Sequence, residues 1–273
     1  MLELEHRFRV VDVHARLEPD TDAAIERGYA ISPEKLEREM HQAGVVRAVV
    51  CPGPRREQSY LSANNAVARM SVDRPFVAFA RINGAREANT RPSSRLRNLA
   101  ARRTEWHTTP GDVEQYAYDD RFFGFKLDPA VDGFPDDEVL DTLDDVGLPV
   151  LVHGGRSVPP AVIESTLLTR SFPLVIEHFG GHPLDRTLIA ETMALLDRHD
   201  NCYVDTSHVR YRTALERALR EHPDRVLFGS GMPITHPNVA IMEILTLDVP
   251  EDAMRKVFSK NPSRVIEALG HSG

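Results

Sequence analysis

Short hydrophobic runs rich in β-branched residues alternate with helix-type patterns along almost the whole chain. We predict eight strands from these runs: Phe8–His14, Val46–Cys51, Phe76–Ile82, Phe123–Leu127, Pro149–His153, Leu174–His178, Asn201–Thr206 and Val226–Gly229. Strands separated by helices are typical of βαβ units around a parallel sheet. The last five strands end near Leu127, His153, His178, Asp205 and Gly229, and these residues are 24 to 27 positions apart. This regular spacing favours a closed barrel over an open sheet. We therefore predict an α/β fold, a (β/α)8 TIM barrel that forms a single domain over residues 1–273.

The predicted helices carry their own start and stop signals. Ser32 followed by Pro33 predicts an N-cap and a first helical turn, and Gly44 predicts the end of that helix. A second helix is predicted over Asp136–Val146, with Gly147 as its C-terminal stop. These signals place helices between strands, as the barrel requires.

One connection is much longer than the others. Between the third and fourth strands, at about residues 84–121, the chain has an insertion with six arginines within Arg86–Arg103 and the only tryptophan, Trp106. Because the insertion follows a strand, we expect it at the C-terminal face of the barrel, where active sites and lids are found. The alternative is a solvated or partly disordered basic loop.

The composition is that of a globular protein. Of the 273 residues, 41% are hydrophobic and 27% are charged, and no apolar run approaches the roughly 18 residues of a membrane span. Acids precede any apolar stretch at the start of the chain, unlike a secretory leader. The only cysteines, Cys51 and Cys202, lie in predicted strands, where we expect them to be buried and free. We expect a soluble, cytoplasmic protein.

The overall charge limits the kind of partner. A net charge of −8 and a pI near 5.8 give no basic surface for nucleic acid or an anionic membrane. We therefore expect a small molecule as the partner, and neither nucleic acid nor a membrane.

Three histidines lie at the carboxyl ends of predicted strands. His14 ends the first strand, His153 the fifth and His178 the sixth. A single histidine in such a place is usually a hydrogen-bonded structural residue. The carboxyl ends of the strands of a closed barrel meet at one mouth, so three histidines together indicate a functional site.

Motifs around these histidines carry a family resemblance. They occur in chain order as Asp12-Val13-His14-Ala15-Arg16, Gly124–Pro129, Pro149–Gly155, Glu177–Gly181, Tyr203–Ser207 and Leu227–Pro233. As an ordered set they resemble the amidohydrolase superfamily, in particular the branch that contains aminocarboxymuconate-semialdehyde decarboxylase. The resemblance covers most of the chain and implies a (β/α)8 barrel that hydrolyses or decarboxylates small carboxylated compounds.

The resemblance also implies a divalent metal, commonly zinc. In the family two strand-one histidines, the strand-five histidine and a strand-eight aspartate hold the metal, and the strand-six histidine polarises the substrate. His14, His153 and His178 match this pattern, but Arg16 stands in place of the second strand-one histidine. Gly231 stands in place of the aspartate.

These two departures predict that the metal has been lost and that no metal cofactor is bound. A catalytic zinc normally keeps three protein ligands, and only two of the implied set remain. The charge of Arg16 at 4 Å from a divalent ion would cost about 8 kcal/mol at an effective dielectric constant near 20, and arginine does not lose its proton. The alternative is a site rebuilt from other residues near strand ends, namely His208, His236, Asp205 and Asp128.

The remaining mouth is suited to an anion. We predict His178, His153 and His14 as catalytic residues, and Arg16, Lys126 and Asp205 as substrate-binding residues. Arginine binds carboxylates and phosphates through two parallel hydrogen bonds. In the alternative, Arg16 pairs internally with Asp12 or Asp205. Glu177 is predicted to point toward the helices, because its position in the strand alternates with that of His178.

Two functional hypotheses follow. The first is an amidohydrolase-like hydrolase or lyase that acts on a small carboxylated substrate without a metal. The second is a pseudoenzyme, a barrel that binds an anion and performs no turnover. The resemblance leaves homodimer formation open, with the arginine-rich insertion as either a lid or an interface.

Overall fold

A computed structural model describes residues 7–18, 30–55, 58–88 and 92–270 of the chain. The strands are β1 Val10–Arg16, β2 Val45–Cys51, β3 Phe76–Ile82, β4 Phe122–Leu127, β5 Val150–Gly155, β6 Leu174–His182, β7 Cys202–Asp205 and β8 Val226–Leu227. The helices are α1 Pro33–Gln42, α2 Leu61–Ser71, α3 Pro92–Ala100, α4 Pro110–Tyr118, α5 Pro129–Asp132, α6 Asp137–Val146, α7 Pro160–Thr166, α8 Arg186–Arg198, α9 Arg212–Glu221, α10 Pro237–Leu245, α11 Glu251–Arg255 and α12 Asn261–Val265. A π-helical turn, Lys256–Lys260, joins α11 to α12.

The eight strands form one parallel sheet in the order β1 to β8, and helices connect successive strands. Backbone hydrogen bonds also join β1 to the segment around β8: Val13 N–H donates to Phe228 O at 2.9 Å, and Gly231 N–H donates to His14 O at 3.0 Å. These bonds close the sheet, so the predicted (β/α)8 barrel in a single domain is confirmed. Closure brings the carboxyl ends of β1 and β8 side by side.

The local signals of the sequence explain the helices. The Ser32 side chain accepts a hydrogen bond from the backbone of Lys35, and Asp136 caps α6 in the same manner. Gly147 takes the left-handed conformation that ends α6, at φ +69°. The predicted strands are all present, and the largest difference in extent is at β6, which continues four residues beyond the predicted end at His178.

The barrel has two apolar layers. Side chains such as Val11, Phe79 and Leu227 fill the interior, and a larger cluster fills the space between the sheet and the helices. Cys51 and Cys202 are both buried and free, as predicted. None of the described helices is both long and apolar enough to cross a lipid bilayer.

The segment between β3 and β4 contains two helices, α3 and α4. Two of its arginines pair with acidic residues at the start of α6: Arg86 makes two hydrogen bonds of 2.8 Å to Asp137, and Arg103 lies 2.7 Å from Asp136. These pairs tie the described part of the insertion to the barrel.

Candidate functional site

An open cavity of about 510 Å³ lies at the carboxyl ends of the strands. Its described lining residues are His14, Arg16, Pro54, Asp128, Ala130, Val131, His153, Gly155, Arg156, Ser157, Val158, His178, His182, Pro183, His208, Gly231 and Ile234. The structure thus brings His14, Arg16, His153 and His178 together at one mouth. A second cavity of about 600 Å³, lined partly by the first residues of the insertion, shares Ala130, Val131, Arg156 and Ser157 with it.

A register shift in β1 positions His14 and Arg16. The pairing with β2 shifts between Asp12 and Ala15. Before the shift the side chains of Val11 and Val13 face the barrel interior, and after it those of His14 and Arg16 face the mouth. Asp12 accepts the backbone N–H groups of His14 and Ser230, each at 2.9 Å, and the Ser230 hydroxyl as well. Burial raises the pKa of Asp12 to about 6 despite these bonds.

Five histidine rings pack at the mouth, with His178 at their centre. Its ring centroid lies 5.1 Å from those of His14, His182 and His208 and 4.9 Å from that of His153. His182 was not predicted from the sequence. It lies in the extension of β6, and the Gly180-Gly181 pair before it is the sequence signal of an irregular strand end, with Gly180 at φ +63°.

Asp205 organises the site from behind the cavity wall. One oxygen accepts from Nδ1 of His14 at 2.8 Å, and the other accepts from the backbone N–H of His178 at 2.9 Å and the Ser207 hydroxyl at 2.5 Å. The Ser207 hydroxyl also lies 3.0 Å from Nδ1 of His14 and 2.8 Å from Nδ1 of His178. Asp205 is fully buried, so it acts on the cavity through His14, His178 and Ser207.

The prediction that Glu177 points toward the helices is wrong. Glu177 pairs in register with His153 and faces the barrel axis, as Val175 does two residues earlier. His178 is the residue that breaks the alternation, because its backbone is left-handed at φ +57° and Phe179 and Gly180 follow with φ of +50° and +63°. Both Glu177 and His178 are therefore directed to the mouth.

Glu177 forms a buried ion pair with Lys126 at the base of the site. Nζ of Lys126 lies 2.5 Å from one carboxylate oxygen, and each side chain is 1% exposed. Nδ1 of His14 lies 3.7 Å from the same oxygen, and Nδ1 of His153 lies 3.6 Å from the other. Burial alone would raise the pKa of Glu177, but His14 and Lys126 hold it well below its usual value. Glu177 is therefore ionised, and Lys126 lies beneath the cavity wall.

His14 and His178 have pKa values shifted in opposite directions. Burial alone would lower the pKa of His14, but Glu177 and Asp205 outweigh burial and raise it. Burial lowers the pKa of His178 well below its usual value, and the charges of His14 and His153 lower it further. Close to neutral pH, His14 is therefore the charged ring and His178 the neutral one.

The hydrogen bonds of His178 fix its tautomer. Nδ1 lies 3.1 Å from the carbonyl oxygen of Ser207, and because a carbonyl oxygen only accepts, Nδ1 carries the proton. The unprotonated atom of the neutral ring is therefore Nε2, which lies 4.0 Å from a Glu177 oxygen. His178 can accept a proton at Nε2.

His208 occupies the space that a side chain at position 231 would need. Gly231 has φ +77°, and a Cβ built on it would lie 2.4 Å from Nε2 of His208. The nearest residue to the position of the missing strand-eight carboxylate is thus an imidazole. Burial lowers the pKa of His208 to about 4, with a smaller contribution from His14, so this ring is neutral at neutral pH.

A fully buried arginine, Arg81, supports the wall formed by β3 and β4. Its guanidinium lies 3.2 Å from Asp128 and 2.8 Å from Asp132. Only Asp128 of these two lines the cavity. The sequence signal for Arg81 is its place two residues after Phe79 in β3, which directs it to the barrel interior.

The residues of the mouth do not fit the four-ligand metal site implied by the family resemblance. Arg16 lines the cavity, and the place next to Gly231 is taken by His208. A different group, His14, Glu177 and His178, offers one ligand atom each within 4.8 Å of one another. Its carboxylate already pairs with Lys126, and a divalent ion about 4.5 Å from that ammonium would be opposed by about 7 kcal/mol at an effective dielectric constant near 20.

Among the described residues, the group of three that could hold a metal includes none of the other residues named for a rebuilt site. His208 and Asp128 line the cavity, Asp205 is bound to His14, and the His236 side chain accepts the backbone N–H of Asn238 as the N-cap of α10.

Comparison with known proteins identifies the fold and a family. The amidohydrolase family model matches residues 11–267. No curated protein matches the chain significantly. Among solved structures, a TIM-barrel protein from Bordetella bronchiseptica is 20% identical with a TM-score of 0.65, over 97% of this chain and all of the other.

Two enzymes also superpose on the chain. A 2,6-dihydroxybenzoate decarboxylase from Rhizobium is 13% identical with a TM-score of 0.67, over 95% of this chain and 99% of the other. A probable 2-pyrone-4,6-dicarboxylic acid hydrolase from Acinetobacter baumannii, with citric acid bound, is 15% identical with a TM-score of 0.61, over 97% of this chain and all of the other. At these identities the similarity shows a shared fold.

Proposed function

This chain belongs to the amidohydrolase family, and on that premise we propose that it is an enzyme acting on a small carboxylated compound by hydrolysis or carbon–carbon bond cleavage. We propose further that it does so without a bound metal. The solved relatives support the substrate class, because one is a decarboxylase of dihydroxybenzoate and another is a probable hydrolase of a dicarboxylic acid.

The observation that carries the proposal is the pair His14 and His178. Both line one cavity together with Arg16, and their surroundings shift their pKa values in opposite directions. Groups with pKa values moved apart in this manner are suited to act as acid and base in one reaction.

Each group has a role in the proposed reaction. Arg16 binds the substrate carboxylate, and the neutral His178 accepts a proton at Nε2. The charged His14 supplies positive charge for the anion that develops, and His153 contacts the substrate from β5. Lys126 and Asp205 act from beneath the wall, by holding Glu177 ionised and His14 protonated.

The proton transfers balance in either reaction. In hydrolysis, water loses a proton to Nε2 of His178 while its oxygen bonds to the substrate carbonyl carbon. The bond from that carbon to the leaving oxygen or nitrogen then breaks, and the leaving group takes the proton from His178. In carbon–carbon cleavage, the bond between the substrate carbon and its carboxylate breaks, the electron pair stays on the substrate carbon, and carbon dioxide leaves. The protonated His14 then donates a proton to that carbon and is reprotonated from solvent.

The test is a turnover screen on carboxylated lactones, amides and β-keto acids. We expect His178→Ala to lower kcat by about 10²- to 10⁴-fold, because it removes the proton acceptor. We expect Arg16→Ala to raise KM about tenfold or more, because it removes a charge-assisted bond. His199→Ala is the matched control, since His199 pairs with Glu164 away from the cavity and its loss should leave both constants unchanged.

Two outcomes would contradict the proposal. Turnover that is indifferent to both His178→Ala and Arg16→Ala would remove the assigned site. Binding of carboxylates that depends on Arg16, with no turnover of any compound, would favour a non-catalytic anion-binding barrel.

A further inference from the structure

Asp128 is the one carboxylate among the described residues that line the mouth cavity. It follows β4 directly, and the residue as a whole is 5% exposed. One of its oxygens pairs with Arg81 at 3.2 Å, while the other, Oδ1, has no hydrogen-bond partner among the described residues. A buried carboxylate oxygen without a donor is costly, so its place in a cavity points to a bound donor.

The negative charge of Asp128 is only partly balanced by the positive charge of Arg81. Arg81 is shared between two carboxylates, Asp128 and Asp132, so one guanidinium charge faces two negative charges. Burial alone would raise the pKa of Asp128, but His153 and Arg81 lower it below its usual value. Asp128 is therefore ionised and places a negative charge at the cavity wall.

Two more buried polar atoms without a described partner lie on the neighbouring strands. They are Nδ1 of His153 and Oε2 of Glu177, which are 3.6 Å apart, too far for a hydrogen bond. Glu177 does not line the cavity, so these two atoms do not select the ligand, and the choice between a hydroxyl and an amine rests on Asp128. A hydroxyl has one proton to donate, whereas an amine has two or three and, when charged, also complements the excess carboxylate.

The cavity therefore has two poles. Arg16 and the charged His14 lie on β1, and Asp128 lies at the end of β4. Both poles affect His182. Burial and His153 lower its pKa most, while Asp128 raises this pKa and Arg16 lowers it. A ligand that fills a cavity of about 510 Å³ can contact both poles at once.

We propose that the compound bound in this cavity is an amino acid in the broad sense, a small carboxylic acid that also carries an amine, with the amine donating to Oδ1 of Asp128 and the carboxylate on Arg16. The proposal rests on the proposed function for the carboxylate and adds the amine as the second recognised group. Asp128 is a specificity-determining residue in this account.

The test is calorimetric binding of matched ligands to the full chain. The probes are butanoate, 4-hydroxybutanoate and 4-aminobutanoate, with propanoate, 3-hydroxypropanoate and 3-aminopropanoate as a shorter series. We expect the amino acid of at least one series to bind about tenfold or more tightly than its hydroxy and unsubstituted counterparts. Equal affinity within both series, a preference for the hydroxy acids, or binding of none of the six would overturn the proposal.

Matched variants test whether the preference for the amine depends on Asp128. Asp128→Asn should reduce the amino-to-unsubstituted affinity ratio to near one. Asp132→Asn should preserve the ratio, because it removes a partner of the same Arg81 without touching the cavity. Asp128→His is the second variant should the asparagine variant fail to fold. A ratio that survives both substitutions of Asp128 would overturn the assignment.

The outcome is separable from that of the proposed reaction. An amine preference that depends on Asp128, without turnover of any compound, supports this inference and contradicts the proposed catalysis. Turnover of simple acids with no amine preference does the reverse.

Discussion

His14 and His178 lie close together, with 5.1 Å between ring centroids, yet they differ in protonation. The difference arises from their neighbours. His14 faces two carboxylates, Asp205 and Glu177, whereas His178 faces mainly other histidines and a backbone carbonyl. The two buried carboxylates beside His14 together raise its pKa, and burial among neighbouring rings lowers that of His178.

The pH dependence of turnover follows from these directions. Activity requires a neutral His178, whose pKa is lowered well below 6.5, and a protonated His14, whose pKa is raised above 6.5. Turnover should therefore be maintained through neutral pH, fall at acidic pH below the usual histidine range, and fall again at alkaline pH above it. A pH–rate profile measures both limbs.

His14→Gln separates the two limbs. Because the substitution removes the group that deprotonates at high pH, the alkaline limb should disappear while the acid limb of the remaining activity stays in place. An alkaline limb that His14→Gln leaves unchanged would contradict the assignment of His14.

At the residue scale, the sequence predicted the histidines and Asp205 as residues of the site, but it placed Glu177 on the wrong face of β6. His14, His153 and His178 could be predicted because each ends an apolar run at a strand end. The position of Glu177 could not, because the rule of alternating faces assumes a regular strand, and the left-handed backbone at His178 breaks it. Asp128 was named only as a metal ligand, since its half-satisfied carboxylate is a property of packing against Arg81.

The end of β6 is the element on which the site depends. It carries Glu177, His178 and His182 into the mouth, and it does so through successive left-handed residues that end at Gly180. Left-handed backbone at non-glycine residues is strained and is found disproportionately at functional sites. The apolar start of this strand could be predicted from the residue pattern, but its extension beyond His178 depends on a backbone conformation that the pattern does not encode.

Gly180→Ala tests this element. Position 180 has φ +63°, and an added Cβ would lie 2.2 Å from Oγ1 of Thr192, so we expect a loss of about 2 to 4 kcal/mol in the free energy of unfolding. Gly147→Ala is the matched control, since φ is +69° there and no atom lies within 4 Å of the added Cβ. It should cost only about 1 kcal/mol. Chemical denaturation measures both.

Equal losses for the two variants would mean that the turn at Gly180 has room to adjust. In that case the geometry of Glu177 and His178 would not depend on close packing against α8, which contains Thr192.

At the scale of the whole molecule, the barrel could be predicted almost completely from the sequence, because eight apolar runs at regular spacing are consistent with few other folds. Closure of the barrel brings the residues at the ends of the first and last strands into one site. It sets Gly231 beside His14 and brings His208 into the space next to it. The position of His208 beside Gly231 could not be predicted from the sequence. His208 belongs to the loop after β7, and its backbone is left-handed.

We propose that this amidohydrolase barrel works without a metal, with the charges of His14 and Arg16 in the mouth and that of Lys126 beneath the cavity wall. The most direct measurement is the metal content of protein purified without chelator, together with turnover before and after chelation. We predict well below one divalent ion per chain and turnover that chelation does not change. About one zinc or other divalent ion per chain, with turnover that is lost on chelation and restored by that metal, would contradict the account.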